Sequence, residues 1–146
     1  MKNRSGFTLV ELIIVAAIIV LLSFYSIPKY YELTQEARSS QAQATVGTVR
    51  SALGIYYAKN RGIYPAALDG TLFAEGSEPD VEVTVGGVVK RSNLVLNIAG
   101  NGIVTSDEIT NAGGWVYDVS SKRENADVRI NSTDTDPITH KHWYEF

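Results

Sequence analysis

Oxygen-bearing side chains between Asn97 and Glu108 follow a spacing that could hold a calcium ion. Asn97 and Asn101 occupy the first and fifth positions of this segment, Gly102 the sixth and Glu108 the twelfth. Calcium-binding loops place oxygen ligands and a turn glycine at these positions. Ala99 breaks the third position, so the alternative is a Gly/Asn turn followed by a polar loop. The segment therefore predicts a calcium site formed by Asn97, Asn101 and Glu108, to be weighed against the plain turn.

The other candidate metal-binding or catalytic segments have fewer of the side chains that such a site would need. Asp134-Thr135-Asp136 is a second oxygen-rich stretch, and His140 and His142 would share one face of a strand. Two imidazoles are too few for zinc, so we expect a solvated tail there. Cysteine is absent, which excludes thiol nucleophiles, thiolate metal sites and disulfides. We predict that the chain is not an enzyme and that its function requires no cofactor.

A single carboxylate interrupts a long apolar segment near the start of the chain. Residues 7–27 contain one charged residue, Glu11, and the cations Lys2 and Arg4 precede them. As a helix, this segment would span roughly 30 Å, enough for the hydrocarbon core of a bilayer. The preceding cations predict a cytoplasmic start. A charge at the centre of such a helix costs about 2.5–3.5 kcal/mol, and less near its end, so Glu11 needs a partner.

A secretory signal peptide has the same basic start and apolar middle. Two features argue against it. The residues from Leu22 to Pro28 form a poor small-x-small cleavage site, and Glu11 lies inside the apolar run. We therefore expect the segment to remain as a membrane anchor.

The residues Gly6-Phe7-Thr8-Leu9-Val10-Glu11-Leu12 closely resemble the class III signal of type IV pilins and type II secretion pseudopilins. The shared features are a glycine before an aromatic residue, a glutamate five residues after that glycine, and a following apolar run. Pro28 lies where these proteins usually carry a helix-kinking proline. The resemblance implies that a prepilin peptidase cleaves between Gly6 and Phe7 and N-methylates Phe7. Loss of two basic residues in the leader would change the net charge from −3 to −5.

Cleavage at that position would supply a partner for Glu11. The new amine of Phe7 in a staggered neighbouring subunit could pair with the Glu11 carboxylate. Such a buried ion pair would set the axial register of neighbouring helices. The alternative is an ordinary single-pass anchor with an incidental glutamate.

A long helix is predicted to connect this segment to the rest of the chain. Proline at position 28 bends or locally opens a helix without needing to end it. Beyond it, Ala42, Val46, Val49 and Leu53 recur at helical spacing and form one apolar face. We predict one helix from about Phe7 to Arg61, with its first half in lipid and its second half packed on a head. Close packing against a sheet or another helix would explain the two helical glycines, at positions 47 and 54.

The period of the sequence changes after residue 80. Residues 81–85 alternate as in a half-buried strand, and Gly86-Gly87 is a two-residue hairpin signal. Further strands are predicted near 88–89, 94–96, 115–119 and 128–131. One face of the sheet should pack on the helix and the other should face outward. The predicted fold class is α+β and pilin-like, a long N-terminal α-helix with a C-terminal antiparallel β-sheet head.

These elements divide the chain into four predicted parts. They are the leader 1–6, the transmembrane and filament-core helix 7–27, its amphipathic continuation 28–61, and the periplasmic or extracellular head 62–146. The composition, 45% hydrophobic and 20% charged, is that of an ordered chain. The negative net charge gives no support for a nucleic-acid surface.

The resemblance implies a structural subunit of a helical filament rooted in the inner membrane. The implied partners are other copies of the chain, minor pilins or pseudopilins, the prepilin peptidase, an assembly ATPase, an inner-membrane platform protein, and membrane lipid before assembly. The implied location is a single pass through the inner membrane with the head in the periplasm, or a filament in the periplasm or at the cell surface.

Three functions remain open at this point. The short head and the absence of a C-terminal disulfide favour a pseudopilin of type II protein secretion. The alternative is a type IV pilin, major or minor, of a surface pilus for adhesion, motility or DNA uptake. A membrane-anchored binding module that does not polymerise is the alternative from another class.

Overall fold

The computed structural model describes residues 7–146, so the leader, with Gly6, lies outside the described residues. Residues 7–146 contain one long helix, five strands and three short 3-10 turns. In chain order they are α1 (Leu9–Lys59), the turn Gly70–Leu72, β1 (Val81–Val85), β2 (Val88–Ser92), β3 (Val95–Ile98), the turn Ser106–Glu108, β4 (Trp115–Val119), β5 (Ala126–Ile130) and the turn Trp143–Glu145. The predicted α+β fold class is confirmed. The described residues group into two compact units, 7–35 and 36–146.

The described part of the first unit is the N-terminal stretch of α1. All residues from Phe7 to Leu33 are exposed, most of them apolar. Helical structure continues through Pro28, as predicted. The Ser23 hydroxyl donates to the Ile19 carbonyl at 2.8 Å, so this hydroxyl has a hydrogen-bond acceptor within the apolar run. Within residues 7–146, one helix is long and apolar enough to cross a membrane, and it is α1.

The second unit is built around the remaining part of α1. Its predicted apolar face is confirmed, because Ala42, Val46, Val49 and Leu53 are all buried. They share one core with side chains from β1, β4 and β5. Burying each of these larger side chains contributes about 1.5–3 kcal/mol, which explains why a short helical face can hold a sheet.

The strands form two sheets rather than the single antiparallel sheet that we expected. β1 and β2 make the predicted hairpin, in which Val85 pairs with Val88. Gly86 and Gly87 both have positive φ, 61° and 76°, as this tight turn requires. The second sheet has the order β3-β4-β5, with β4–β5 antiparallel and β3–β4 parallel. Parallel pairing follows from the long crossover between β3 and β4, which returns the chain in the same direction.

The expectation that the far face of the sheet points outward is wrong for β4. Trp115, Tyr117 and Val119 face the main core, while Val116 and Asp118 on the other face are also fully buried. The crossover covers this second face, where Val104 and Ile109 pack on Val116. β4 is therefore a central strand buried on both sides.

The expected solvated tail is also wrong in part. His140 and His142 are exposed, but Trp143 is 2% exposed and belongs to the main core. Its ring lies 5.7 Å from the ring of Phe146. The large apolar area of the indole outweighs the polarity of its neighbours.

The two helical glycines do not mark close packing within the chain. A Cβ atom added to Gly47 or Gly54 would meet no atom within 4 Å. Both positions face open space, so the interpretation that they allow close contact with the sheet is wrong, and close packing against another helix stays a prediction.

Candidate functional site

The first turn of α1 holds the Glu11 carboxylate through a capping box. Its Oε2 accepts from the Thr8 backbone N–H at 2.9 Å and from the Thr8 hydroxyl at 2.7 Å. The Glu11 N–H donates in return to Thr8 Oγ1 at 3.3 Å. A carboxylate is also favoured here by the positive end of the helix dipole. Within one chain, Glu11 is thus held one turn from Phe7.

The residues around this carboxylate are exposed. Phe7 is 76% exposed, and the apolar side chains that follow are open along the helix. Because Gly6 lies outside the described residues, cleavage between Gly6 and Phe7, and methylation of Phe7, stay predictions.

Polar and aromatic groups gather where the apolar run ends. Directly after Pro28, Lys29 pairs with Glu32 at 2.7 Å, and both side chains are more than half exposed. The exposed rings of Tyr30 and Tyr31 lie beside them, with centroids 6.5 Å apart. This order, an apolar helix followed by tyrosines and a surface ion pair, is typical of a membrane boundary.

The three predicted calcium ligands lie in different local structures. Asn97 Oδ1 accepts from the Leu68 N–H at 2.7 Å, and Asn101 Oδ1 accepts from the Ile103 N–H at 3.0 Å. Glu108 Oε2 accepts from the Thr105 N–H at 2.7 Å in a second capping box. Among residues 7–146, no group of three or more His, Cys, Asp or Glu residues is placed to hold a metal ion. The calcium site stays a prediction.

The loop at residues 100–103 is held by the carboxylate of Asp118, a residue that was not among the candidates predicted from the sequence. Asp118 is fully buried, and its Oδ1 accepts from the Gly100 N–H at 2.7 Å. Its Oδ2 accepts from the N–H groups of Asn101, Gly102 and Ile103 at 3.2, 3.0 and 3.1 Å. The loop therefore presents donors to an anion from its own chain, whereas a calcium loop presents oxygens to a cation.

Two glycines make this arrangement possible. A Cβ at Gly100 would lie 2.7 Å from both carboxylate oxygens of Asp118, and one at Gly102 would lie 2.6 Å from the Asn125 carbonyl oxygen. The signal available in the sequence was an aspartate inside the otherwise apolar strand Trp115–Val119, together with glycines at 100 and 102.

The second oxygen-rich stretch also has a structural role. Asp136 is fully buried, and its Oδ2 accepts from the Ser39 hydroxyl at 2.9 Å and the Thr139 N–H at 2.9 Å. Asp134 Oδ2 accepts from the Gly87 N–H at 2.9 Å. These carboxylates tie the C-terminal segment to α1 and to the β1–β2 turn.

The second unit contains two ionisable groups with displaced pKa values. Burial raises the pKa of Tyr117, whose hydroxyl donates to the Pro65 carbonyl at 2.9 Å. Burial lowers the pKa of Arg50, and the nearby Arg129 lowers it further. Arg50 donates to the Val128 carbonyl at 3.3 Å and to the Phe146 carbonyl. Both groups bond to backbone carbonyls, so they hold segments together.

Known proteins resemble this chain both at the N-terminal motif and over most of its length. The profile of the prokaryotic N-terminal methylation motif matches residues 1–24. The chain is similar to the type IV major pilin protein PilE of Neisseria gonorrhoeae, with 31% identity over 86% of this chain and 72% of the relative. No solved structure gives a significant match.

Two other relatives are matched over a smaller share of their length. The fimbrial protein EcpC of Eikenella corrodens is 30% identical over 70% of this chain and 61% of its own. The type IV narrow pilus major component PilA5 of Thermus thermophilus is 41% identical over 42% of this chain and 53% of its own. The chain thus spans between about half and two thirds of these two relatives.

Proposed function

The chain belongs to the type IV pilin and pseudopilin family, and we propose that it is a pilus pilin that polymerises into a surface filament from the inner membrane. As a member of this family it is a structural filament subunit and not an enzyme. The observation that carries the proposal is the exposure of every residue from Phe7 to Leu33, a mostly apolar stretch whose first part lies within the methylation motif.

The exposed apolar surface would be covered by lipid before assembly and by neighbouring helices after it. Before assembly, lipid would cover it, with the N-terminus in the cytoplasm and the second unit in the periplasm. After a prepilin peptidase has cleaved before Phe7 and methylated it, the same helices would pack on one another in the filament core. An assembly ATPase and a platform protein in the inner membrane would drive this transfer, and minor pilins would join the polymer.

Glu11 would set the register of that packing. Its carboxylate is held at the first helical turn by Thr8, and the amine of Phe7 in a neighbouring subunit would replace those contacts. In a core of apolar helices, an uncompensated carboxylate is strongly unfavourable, so only the register that supplies the amine would be populated.

A pseudopilin of type II secretion is the second candidate. The observation that favours it is the absence of cysteine, so the C-terminal segment is held by Asp136 and Trp143 instead of by a disulfide. The names of the relatives, which are pilins and fimbrial proteins, favour the pilus.

Mass spectrometry of filaments sheared from cells, beside washed inner membranes, tests the proposal. A dominant signal in the sheared fraction that begins at a methylated Phe7 would support a surface pilin. The same processed chain confined to membranes would favour the pseudopilin. A chain that still begins at Met1 would contradict both and favour a membrane-anchored module that does not polymerise.

A further inference from the structure

Four cationic residues lie in two segments of the second unit that a backbone hydrogen bond holds together. Lys59 is in the last turn of α1 and Arg61 follows it, while Lys122 and Arg123 lie in the connection between β4 and β5. The Tyr64 N–H donates to the Arg123 carbonyl at 2.9 Å, which holds that connection beside the end of the helix. We call Lys59, Arg61, Lys122 and Arg123 the basic patch.

The basic patch has no ion-pair partner within the described chain. Ion pairs within residues 7–146 join Lys29 to Glu32, Arg38 to Glu82, Arg91 to Asp80 and Arg129 to Asp127. Three patch residues are exposed, and Arg123 is half-buried. The adjacent Glu124 carries one negative charge against the four positive ones, so the net positive charge of the patch attracts an anionic surface.

The rest of the chain is strongly acidic. The sequence has 13 basic and 16 acidic residues, and removal of the leader would leave 11 basic. Outside the basic patch, 7 basic residues would then face 16 acidic ones. Asp118 and Asp136 are fully buried, which leaves 14 acidic residues against these 7 basic ones. In a polymer of identical chains, a neighbour therefore offers the basic patch about twice as many acidic as basic side chains.

An acidic segment lies at the other end of β4. Pro79 accepts from the Trp115 indole N–H at 2.9 Å, which places the residues around 78–80 beside the start of β4. Lys122 and Arg123 follow the end of the same strand. Five residues at about 3.3 Å each separate these two ends. Glu75 and Glu78 take part in none of the ion pairs within the described residues.

We propose that the basic patch of one copy contacts Glu75 and Glu78 of a second copy. The two surfaces differ and lie apart on the same chain, so the contact is heterologous and can repeat without closing. The inference rests on the proposed filament function. Complementary charges of this kind set the orientation of neighbours more than they set affinity.

Crosslinking of the full chain in filament-forming cells tests the contact. Because the sequence contains no cysteine, Lys122→Cys and Glu78→Cys introduce the only thiols. Lysine and glutamate in an ion pair keep their Cβ atoms farther apart than a disulfide allows, so a short bismaleimide is the reagent. We expect a ladder of three or more linked copies from the double variant. Each single variant should stop at dimers, as should the control pair of Lys141→Cys with Glu78→Cys.

The outcomes separate this inference from the proposed function. Normal filaments without a ladder would overturn the contact and leave the pilin assignment intact. A ladder in membranes without surface filaments would support the contact and contradict the surface pilus. If the unmodified chain forms no filaments and the double variant gives no ladder, both are refuted.

Charge reversal gives a second measurement that does not depend on introduced thiols. Lys122→Glu with Arg123→Glu, or Glu75→Lys with Glu78→Lys, should each reduce filament yield about tenfold. All four changes in one chain should restore most of the yield, and no recovery would overturn the inference. If filament yield stays normal but the first variant loses retention of a short DNA duplex, the basic patch serves nucleic acid and the second-copy contact is wrong.

Discussion

Replacing Asp118 with asparagine should destabilise the second unit, because four backbone N–H groups surround this buried carboxylate. Asparagine keeps one acceptor oxygen. If that oxygen takes the place of Oδ2, three hydrogen bonds become neutral and lose about half their strength, roughly 2 kcal/mol together. The Gly100 N–H would then face the amide NH₂ group and lose its acceptor, at a cost of about 1–3 kcal/mol.

The sum, about 3–5 kcal/mol, is a large part of the 5–15 kcal/mol that typically stabilises a domain. Denaturant unfolding of the full chain in detergent would measure it. Both tryptophans, Trp115 and Trp143, are buried in the second unit and report its unfolding by fluorescence. Asp107→Asn is the matched control, because Asp107 is exposed. An Asp118→Asn variant within about 0.5 kcal/mol of the control would refute this account of the loop.

Four further outcomes are expected. Glu11→Leu should lower filament yield at least about tenfold by removing the register pair, while tryptophan fluorescence shows an unchanged second unit. Gly47→Ala and Gly54→Ala should each stabilise that unit by about 0.5–1 kcal/mol in denaturant unfolding, because the added methyl groups meet open space; a loss of stability would contradict this. Trp143→Ala should cost about 3–5 kcal/mol, whereas a solvated tail would show almost no change. If calcium binds at Asn97, Asn101 and Glu108, unfolding will shift to higher denaturant in calcium but not in chelator, and Glu108→Gln will remove the shift.

Features that depend on neighbours in the chain were predictable from the sequence. The burial of Val46, Val49 and Leu53 follows from helical spacing, and the β1–β2 turn follows from Gly86-Gly87. In both cases the physical cause, a repeating face or a backbone conformation that only glycine adopts easily, acts within a few residues.

The candidate processing and assembly residues, which stay predictions, were also chosen from a local pattern. Phe7, Glu11 and Pro28 lie in one continuous segment, and their spacing along it carries the motif. The contact between Glu11 and Thr8 was not foreseen, although it too is local. The expected partner of Glu11 was a cation in another subunit, whereas the Thr-x-x-Glu capping pattern supplies a partner within the same chain.

Strand order and the burial of polar groups depended on distant parts of the chain. No local pattern shows that β3 lies parallel to β4, because the pairing depends on how the crossover packs against Val116. The same crossover buries Asp118 and supplies its four donors.

Local periodicity and side-chain type thus determined the long helix and the hairpin. The apolar segment and the N-terminal motif could be read directly from the sequence. The tertiary structure decided which strands pair, that Asp118 and Asp136 are buried, and that Trp143 belongs to the core. Those outcomes depend on contacts between residues far apart in sequence, such as Ser39 with Asp136. Such contacts form only where the whole fold brings enough apolar surface and enough hydrogen-bond partners together to offset the loss of water.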